Sequence, residues 1–301
     1  MGLFSKWVES LDYQYEILST CSRNKSPRST CSHCIDACEL NAIEIKKGIP
    51  HINYKGCNEC GKCMVSCPVQ AIAGIFPKRE FHQGRLVAGK SSPPSAKELV
   101  VYAKKGIKGI IGEEEIDSRW NQAVDEANVL LKQLEEPLLT VERTKLEKTE
   151  ECISRRELFF SWKEGTQTLL KEMAPAKWRF NQTALELSRY YPNHQFANIQ
   201  LNTERCTLCH ACEKLCDKKC IEINDEGFVI SAQSCSNCQL CADICPEKAI
   251  TVNEQISPYE QVKYPFFTSV CSSCHKSFHT LSENQELCVP CMKKSQFLIT
   301  R

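Results

Sequence analysis

The 301-residue chain reads as an α+β protein. Two modules of short β-hairpins and small helices, each wrapped around clustered cysteines, flank a mainly helical middle region, and a small cysteine ribbon follows. Three observations predict this. Residues 57–68 (CNECGKCMVSCP) space four cysteines as C-x2-C-x2-C-x3-C-P, and the spacing returns at 206–216 (CTLCHACEKLC) and 235–246 (CSNCQLCADICP). A longer-gapped copy, Cys21, Cys31, Cys34 and Cys38, precedes them. Segments 42–54 (AIEIKKGIPHINY) and 220–232 (CIEINDEGFVISA) alternate apolar and polar residues about a glycine-bearing turn, the pattern of hairpins that lead into the next run.

Along the chain, residues 1–14 read as an amphipathic N-terminal helix interrupted by charges. That helix lacks the unbroken apolar core of a signal peptide, and Lys6 spoils a myristoylation site. The first cysteine module covers 15–80, and a linker over 81–97 includes Ser/Pro-rich sequence. The middle region, 98–199, is expected to be α/β and mainly helical. ELVVYAKKGIKGIIG (98–112) predicts a short helix and then a buried strand. Within 113–136, Ile116, Trp120, Ala123, Ala127, Leu130 and Leu134 share one helical face. Ser154 and Glu157 form a capping box for a helix that turns Leu158, Trp162, Leu169 and Met173 inward, and helical character continues through TALELSRYY (183–191) until Pro192. The second cysteine module spans 200–255 and the ribbon 265–301.

The four runs resemble the ligand runs of bacterial dicluster ferredoxins, over roughly 15–80 and 200–255. The resemblance implies four [4Fe–4S] clusters, each held by three cysteines of one run and the last cysteine of the neighbouring run. Carried over, the sets are Cys57, Cys60, Cys63 with Cys38; Cys21, Cys31, Cys34 with Cys67; Cys206, Cys209, Cys212 with Cys245; and Cys235, Cys238, Cys241 with Cys216. The first run departs from the pattern. Arg28 stands where its first cysteine belongs, so Cys21 must return across the nine-residue insert SRNKSPRST, whose composition suits a surface loop. The alternative is a free Cys21 and a three-cysteine site. Arg23, Lys25 and Arg28 of this insert read either as solvated charges or as a docking surface for a redox partner. Glu39 and Asp217 replace the proline after Cys38 and Cys216, weakening the turn but not the ligation. Cys220 falls where the other copies have Ala42, Ala71 and Ala249, and reads as an ordinary core residue. Modules this small bury too little apolar surface to fold without staples, so the clusters are expected to be structural as well as redox-active.

Cys271, Cys274, Cys288 and Cys291 spell C-x2-C-x13-C-x2-C, a tetrathiolate pattern for one zinc ion; a rubredoxin-like iron would use the same sulfurs. CSSCH (271–275) and CTLCH (206–210) also match a c-type haem attachment pattern, but His210, His275 and His279 read better as solvated or hydrogen-bonded neighbours. Cys152 stands apart and reads as a core thiol.

Twenty-two cysteines arranged this way require reduced thiols, which predicts a cytoplasmic protein. The formal net charge of +1 gives no field favouring nucleic acid. No apolar run is long enough to span a membrane. GIKGIIGEEE is not a nucleotide-binding glycine motif, SRREL (154–158) is a capped helix start rather than a twin-arginine signal, and no catalytic motif or small-molecule substrate is recognised. The expected function is single-electron transfer to or from a partner oxidoreductase; by analogy of fold that partner is a molybdopterin enzyme or a hydrogenase. The alternative is a ferredoxin-type maturation factor that docks an apo-oxidoreductase.

Overall fold

In the computed structural model, which describes residues 15–74, 77, 79–89, 92–113, 115–144 and 185–299, the cysteine runs are framed by pairs of short strands. The chain divides into two units, Met1–Asn24 with Ser32–Tyr190, and Lys25–Cys31 with Tyr191–Arg301.

In the first unit, β1 (Glu16–Ile17) pairs antiparallel with β4 (Ile72–Ala73). Between them, the alternation of 42–54 folds as expected: β2 (Ile43–Lys46) and β3 (Ile49–Ile52) form an antiparallel hairpin. Its turn residues Lys47 and Gly48 both have positive φ, 53° and 82°, the backbone that two-residue hairpins require. Short helices α1 (His33–Asp36) and α2 (Lys62–Ser66) carry Cys34 and Cys63. The apolar residues form a core of Tyr15, Ile43, Met64, Ala71 and Ile72 among the buried Cys21, Cys63 and Cys67.

The same unit continues into a four-stranded sheet of order β5-β6-β7-β8, with β5 (Phe81–His82), β6 (Arg85–Val87), β7 (Gly109–Gly112) and β8 (Thr140–Arg143). Strands β6, β7 and β8 are parallel, joined through α3 (Ala96–Lys104) and α4 (Ser118–Gln133). Each helix starts on a side-chain cap: Ser95 Oγ accepts the Glu98 N–H at 3.2 Å, and Asp117 Oδ1 accepts that of Arg119 at 2.9 Å. The helix-then-strand reading of 98–112 therefore holds. The emphasis on helix does not: the described part of the middle region is a sheet with two crossover helices, and the expected linker contains β5 and β6. On α4 the buried stripe is Trp120, Ala123, Val124, Ala127 and Leu131, so Val124 and Leu131 take the place expected of Leu130. The glycines of GIKGIIG serve geometry: Gly106 takes φ 96° after α3, and a Cβ on Gly109 would lie 2.2 Å from the Thr140 carbonyl oxygen of β8.

Two contacts tie this sheet layer to the cysteine region. Val65 of α2 packs with Val101 of α3 and Leu185. Arg79, 5 % exposed, binds both carboxylate oxygens of Glu98, 1 % exposed, and Tyr102 donates to Glu98 Oε1 at 2.8 Å. Removing either partner would strand a buried charge. The N-terminal helix, the capping box at Ser154, the helix through Met173 and Cys152 lie outside the described residues.

In the second unit, β9 (His194–Leu201) pairs antiparallel with β12 (Ile250–Pro258), framing the two runs as β1 and β4 do in the first. The expected hairpin is β10 (Ile221–Asn224) and β11 (Gly227–Ser231), extended by β13 (Gln261–Tyr264). Helices α5 (Ala211–Leu215) and α6 (Leu240–Ile244) each follow a CxxC turn. Ala197, Ile199, Ile221, Phe228, Ile230, Ile250 and Val252 make the core. The ribbon is the hairpin β14 (Phe267–Val270) and β15 (Ser277–Thr280), followed by α7 (Val289–Ile299).

Residues Lys25–Cys31 of the insert fold with this second unit. Lys25 pairs with Asp217, Arg28 Nη1 donates to the Ile244 carbonyl at 3.4 Å, and Asp243 accepts both the N–H (2.7 Å) and hydroxyl (2.9 Å) of Thr30. Ser26 and Ser29 are buried. The insert is thus neither a solvated loop nor a free docking surface, because its lysine and second arginine are already bound.

Gly227 takes φ 127°, and a Cβ there would meet the Tyr264 carbonyl oxygen at 2.3 Å. Gly227→Ala is expected to cost the second unit at least about 1–3 kcal/mol of backbone strain. Thermal unfolding followed by circular dichroism checks this; a wild-type melting temperature would contradict it.

Candidate metal centres

Each cysteine run ends in the same local structure. After Cys38, Cys67, Cys216 and Cys245, the fourth residue of the turn (Asn41, Gln70, Lys219, Lys248) donates its N–H back to the cysteine carbonyl, at 2.9–3.2 Å. That residue has φ of 50–55° in all four copies. The next N–H, of Ala42, Ala71, Cys220 or Ala249, then points at the cysteine sulfur from 3.2, 3.1, 3.3 and 3.2 Å. A backbone N–H aimed at a sulfur stabilises the thiolate. The turn is equally formed with Pro68 and Pro246 or with Glu39 and Asp217 after the cysteine, so the missing prolines cost it nothing visible.

The starts of the runs repeat as well. Glu59, Leu208 and Asn237, two residues after the first cysteine, have φ of 54°, 51° and 57°; Gly61, His210 and Gln239, two residues on, have 78°, 59° and 59°. These left-handed residues curl each CxxCxxC segment so that its thiols face inward. The first run lacks this curl: Ser32, in the place of Gly61, has φ −128°.

The curled segments and the end turns meet. One cavity in the first unit is lined by Cys38, Cys57, Cys60 and Cys63, with Tyr15, Ala42, Ile43, Ile52 and Arg119. One in the second is lined by Cys206, Cys209, Cys212 and Cys245, with Phe228 and Ile250. Each holds the four thiols of one set carried over from the resemblance. The other groupings show in the electrostatics: Cys216 acts on Cys235, Cys238 and Cys241, and Cys21 acts on Cys67. Cys21 is buried in one core with Cys67 and Cys34.

Crowding and burial make these thiols hard to ionise. Burial, then the neighbouring Cys60 and Cys57, pushes Cys63 up to about 12. Burial, then Cys206, does the same to Cys212, also to about 12. Cys57, Cys67, Cys206, Cys238 and Cys241 are raised for the same leading reason. A bound cation inverts this, because its charge offsets both the desolvation and the mutual repulsion of the thiolates.

Sequence reasoning overlooked three residues here. Tyr15 is 2 % exposed, donates to the Glu59 carbonyl at 2.7 Å, and lies so close to Gly74 that a Cβ there would fall 2.3 Å from its ring. Arg119 of α4 reaches the Cys38 cavity, which no local pattern foretells. Cys220 departs from its reading as a plain core residue: it is buried, but its thiol lies in hydrogen-bonding reach of Cys216 and Cys235. That contact holds Cys216 below the ordinary thiol range and Cys220 above it.

In the ribbon, the donor atoms of Cys271, Cys274, Cys288 and Cys291 all lie within 4.8 Å of one another. The Cys274 and Cys288 sulfurs are 3.7 Å apart, against about 3.8 Å for the edge of a tetrahedron with 2.3 Å metal–sulfur bonds. Among the described residues no other group of three or more such donors is so compact. Backbone N–H groups of Cys274 and then Cys288 lower Cys271 to about 6. His210 bonds Glu213 at 3.0 Å and His279 bonds Thr268 at 3.4 Å, in keeping with hydrogen-bonded rather than ligating roles.

A 4Fe–4S binding domain family matches residues 50–73, the stretch from β3 through the Cys57–Cys67 run to β4. The chain is an iron–sulfur protein of ferredoxin-like type. It is similar to the ferredoxin-type protein NapF of Escherichia coli K12, 40 % identical over 81 residues, which are 25 % of this chain and 48 % of that one. It is also similar to NapF of Haemophilus influenzae, 42 % over 50 residues (15 % and 28 %), and to an uncharacterized ferredoxin of Methanocaldococcus jannaschii, 41 % over 39 residues (13 % and 26 %). The chain thus spans at most about half the length of the curated relatives it matches. No described helix is long and apolar enough to cross a membrane.

The ribbon geometry makes a metal-neutral prediction. Cobalt(II) added anaerobically to metal-stripped protein should fill one tetrathiolate site, with the sulfur-to-cobalt charge-transfer and visible bands of tetrahedral coordination at about one equivalent. Cys288→Ser should abolish that spectrum; bands unchanged in the variant would contradict the assignment.

Proposed function

We propose that the chain is an electron-transfer protein, or the electron-transfer subunit of a larger oxidoreductase, with four [4Fe–4S] clusters in two dicluster modules and one structural zinc in the ribbon. The observation that carries the reading is the pair of cavities, each lined by three cysteines of one run and the last cysteine of its neighbour. Interleaved ligation of this kind is what two-cluster ferredoxins use. The remaining clusters are assigned to Cys21, Cys31, Cys34, Cys67 and to Cys235, Cys238, Cys241, Cys216. Burial of Cys21 beside Cys67 supports its role as a ligand despite the insert.

A [4Fe–4S] cluster supplies a one-electron couple. The protein's own residues hold the sulfurs, exclude water and tune the couple. The apolar walls from Ile43, Ile52, Phe228 and Ile250 keep solvent from two cages, while the four end-turn N–H groups donate to ligand sulfurs. Zinc suits the ribbon because the compact tetrathiolate fits one d10 ion and such an ion contributes folding free energy without redox chemistry. Reduced thiols in this number fit a reducing compartment, the cytoplasm. The partner is an oxidoreductase, of which a molybdopterin enzyme and a hydrogenase are the two classes favoured.

Anaerobically purified protein should carry about sixteen irons in cubane form, four per cage. Added in catalytic amounts between ferredoxin–NADP reductase and cytochrome c, it should drive cytochrome c reduction at a rate proportional to its concentration. A fully loaded protein that leaves cytochrome c oxidised would overturn the carrier reading and favour an assembly factor that binds its client without turning over.

A further inference from the structure

The four end turns superimpose one chemical pattern on four sites, and one site breaks it. Three of them place alanine (Ala42, Ala71, Ala249) after the turn, so the sulfur of the run's last cysteine receives a backbone N–H and no side-chain donor from that position. The fourth places Cys220 there. Its backbone N–H reaches Cys216 Sγ at 3.3 Å as in the others, but its side chain is a second donor at the same place. Cys220 is 2 % exposed, so no water competes for its proton. Its thiol lies within hydrogen-bonding reach of both Cys216 and Cys235. A third acceptor, the Lys218 carbonyl oxygen, is 3.7 Å away. Cys216 and Cys235 belong to one proposed ligand set, so both sulfurs that Cys220 faces are thiolates when that set is loaded. An ionised acceptor outcompetes a neutral carbonyl for a weak S–H donor.

We propose that Cys220 is a positioning residue for one cluster, donating its S–H to the thiolates of Cys216 and Cys235 and thereby setting that cluster's reduction potential above the potential it would have with alanine. The physical basis is charge. Reduction adds an electron to an anionic centre, and a donor aimed at its ligand sulfurs stabilises the more negative state. The extra donor acts on a single cage, so it lifts the Cys216–Cys235–Cys238–Cys241 cluster relative to an otherwise identical alanine-bearing cage. In a chain of clusters, such an offset marks where an electron comes to rest and biases the direction of flow within the second unit. The inference rests on the ligand set of the proposed function.

The test uses the full-length protein, purified anaerobically as wild type, Cys220→Ala, Cys220→Ser and Cys216→Ser. Iron content and EPR-monitored redox titration are measured on each. Cys220→Ala installs the residue the other three turns carry, and is expected to keep the wild-type iron content while moving one cluster to a more negative potential. Cys220→Ser retains an O–H donor and is expected to restore that potential at least in part. In wild type, an exchangeable proton coupled to that cluster should appear by ENDOR in deuterated against ordinary buffer; Cys220→Ala should lose it. Unchanged potentials and an unchanged proton coupling in Cys220→Ala would overturn the proposal. Loss of iron in Cys220→Ala would also overturn it, because Cys220 would then hold iron itself. Cys216→Ser separates the two levels: if it keeps every cluster with an unaltered EPR spectrum, the ligand set fails, and the tuning role falls with it for that separate reason.

Discussion

Crowding several thiols into an apolar cage is unfavourable until a cation enters, and the cysteine-bearing parts of this structure are built around that constraint. Cys63 and Cys212 are both pushed to about 12 by burial and by their neighbours. An empty cage would therefore hold protonated sulfurs with little attraction for one another, in modules whose apolar cores are small. The strands on either side are short; β1 and β4 contribute two residue pairs. Such a pairing does not stand alone. The cages and the strands depend on the metal together.

Backbone conformation carries the specificity. Three runs use left-handed residues at the same two places, and all four end in the same turn with an N–H aimed at sulfur. Glycine fills one of the first-run-type positions, Gly61, but glutamate, leucine, histidine, asparagine and glutamine fill the others. Non-glycine residues held at positive φ store strain that the surroundings must overcome. Ligation by the thiols on either side is the compensation in view. The first run shows what happens when the spacing is broken: Cys21 reaches the core from the far side of an insert, and the insert itself folds with the second unit, its Lys25, Arg28 and Thr30 bound to Asp217, Ile244 and Asp243.

The ligand spacing was legible in the sequence because a cage closed by three consecutive thiols tolerates almost no variation in length. The hairpins were legible too, since a period of two about Gly48 and Gly227 has few other solutions. The middle region was less so. Its β6 is three residues long, and β8, TVER, is exposed throughout, so neither shows the apolar alternation by which strands are recognised. On α4 the phase slipped from Leu131 to Leu130, one residue, which a period of 3.6 does not resolve over four turns. The insert misled for another reason: charge runs usually face water, and nothing local in Lys25 or Arg28 reveals acceptors near residue 217 or 244. Cys220 was read by its size alone, which fits alanine, whereas its sulfur faces two others. The Cys38 and Cys245 cages were assigned from the resemblance and match the cavity linings; the membership of Cys31 rests on the sequence.

The dependence of the end turns on the cages is tested most directly by hydrogen exchange on holo- and metal-stripped protein. The amides of Ala42, Ala71, Cys220 and Ala249 should be protected in the holoprotein and exchange at nearly unfolded rates once the metals are removed, while amides in the middle of Ser118–Gln133 stay protected in both. Equal protection of those four amides with and without metal would mean that the turns stand by themselves, and would contradict the account.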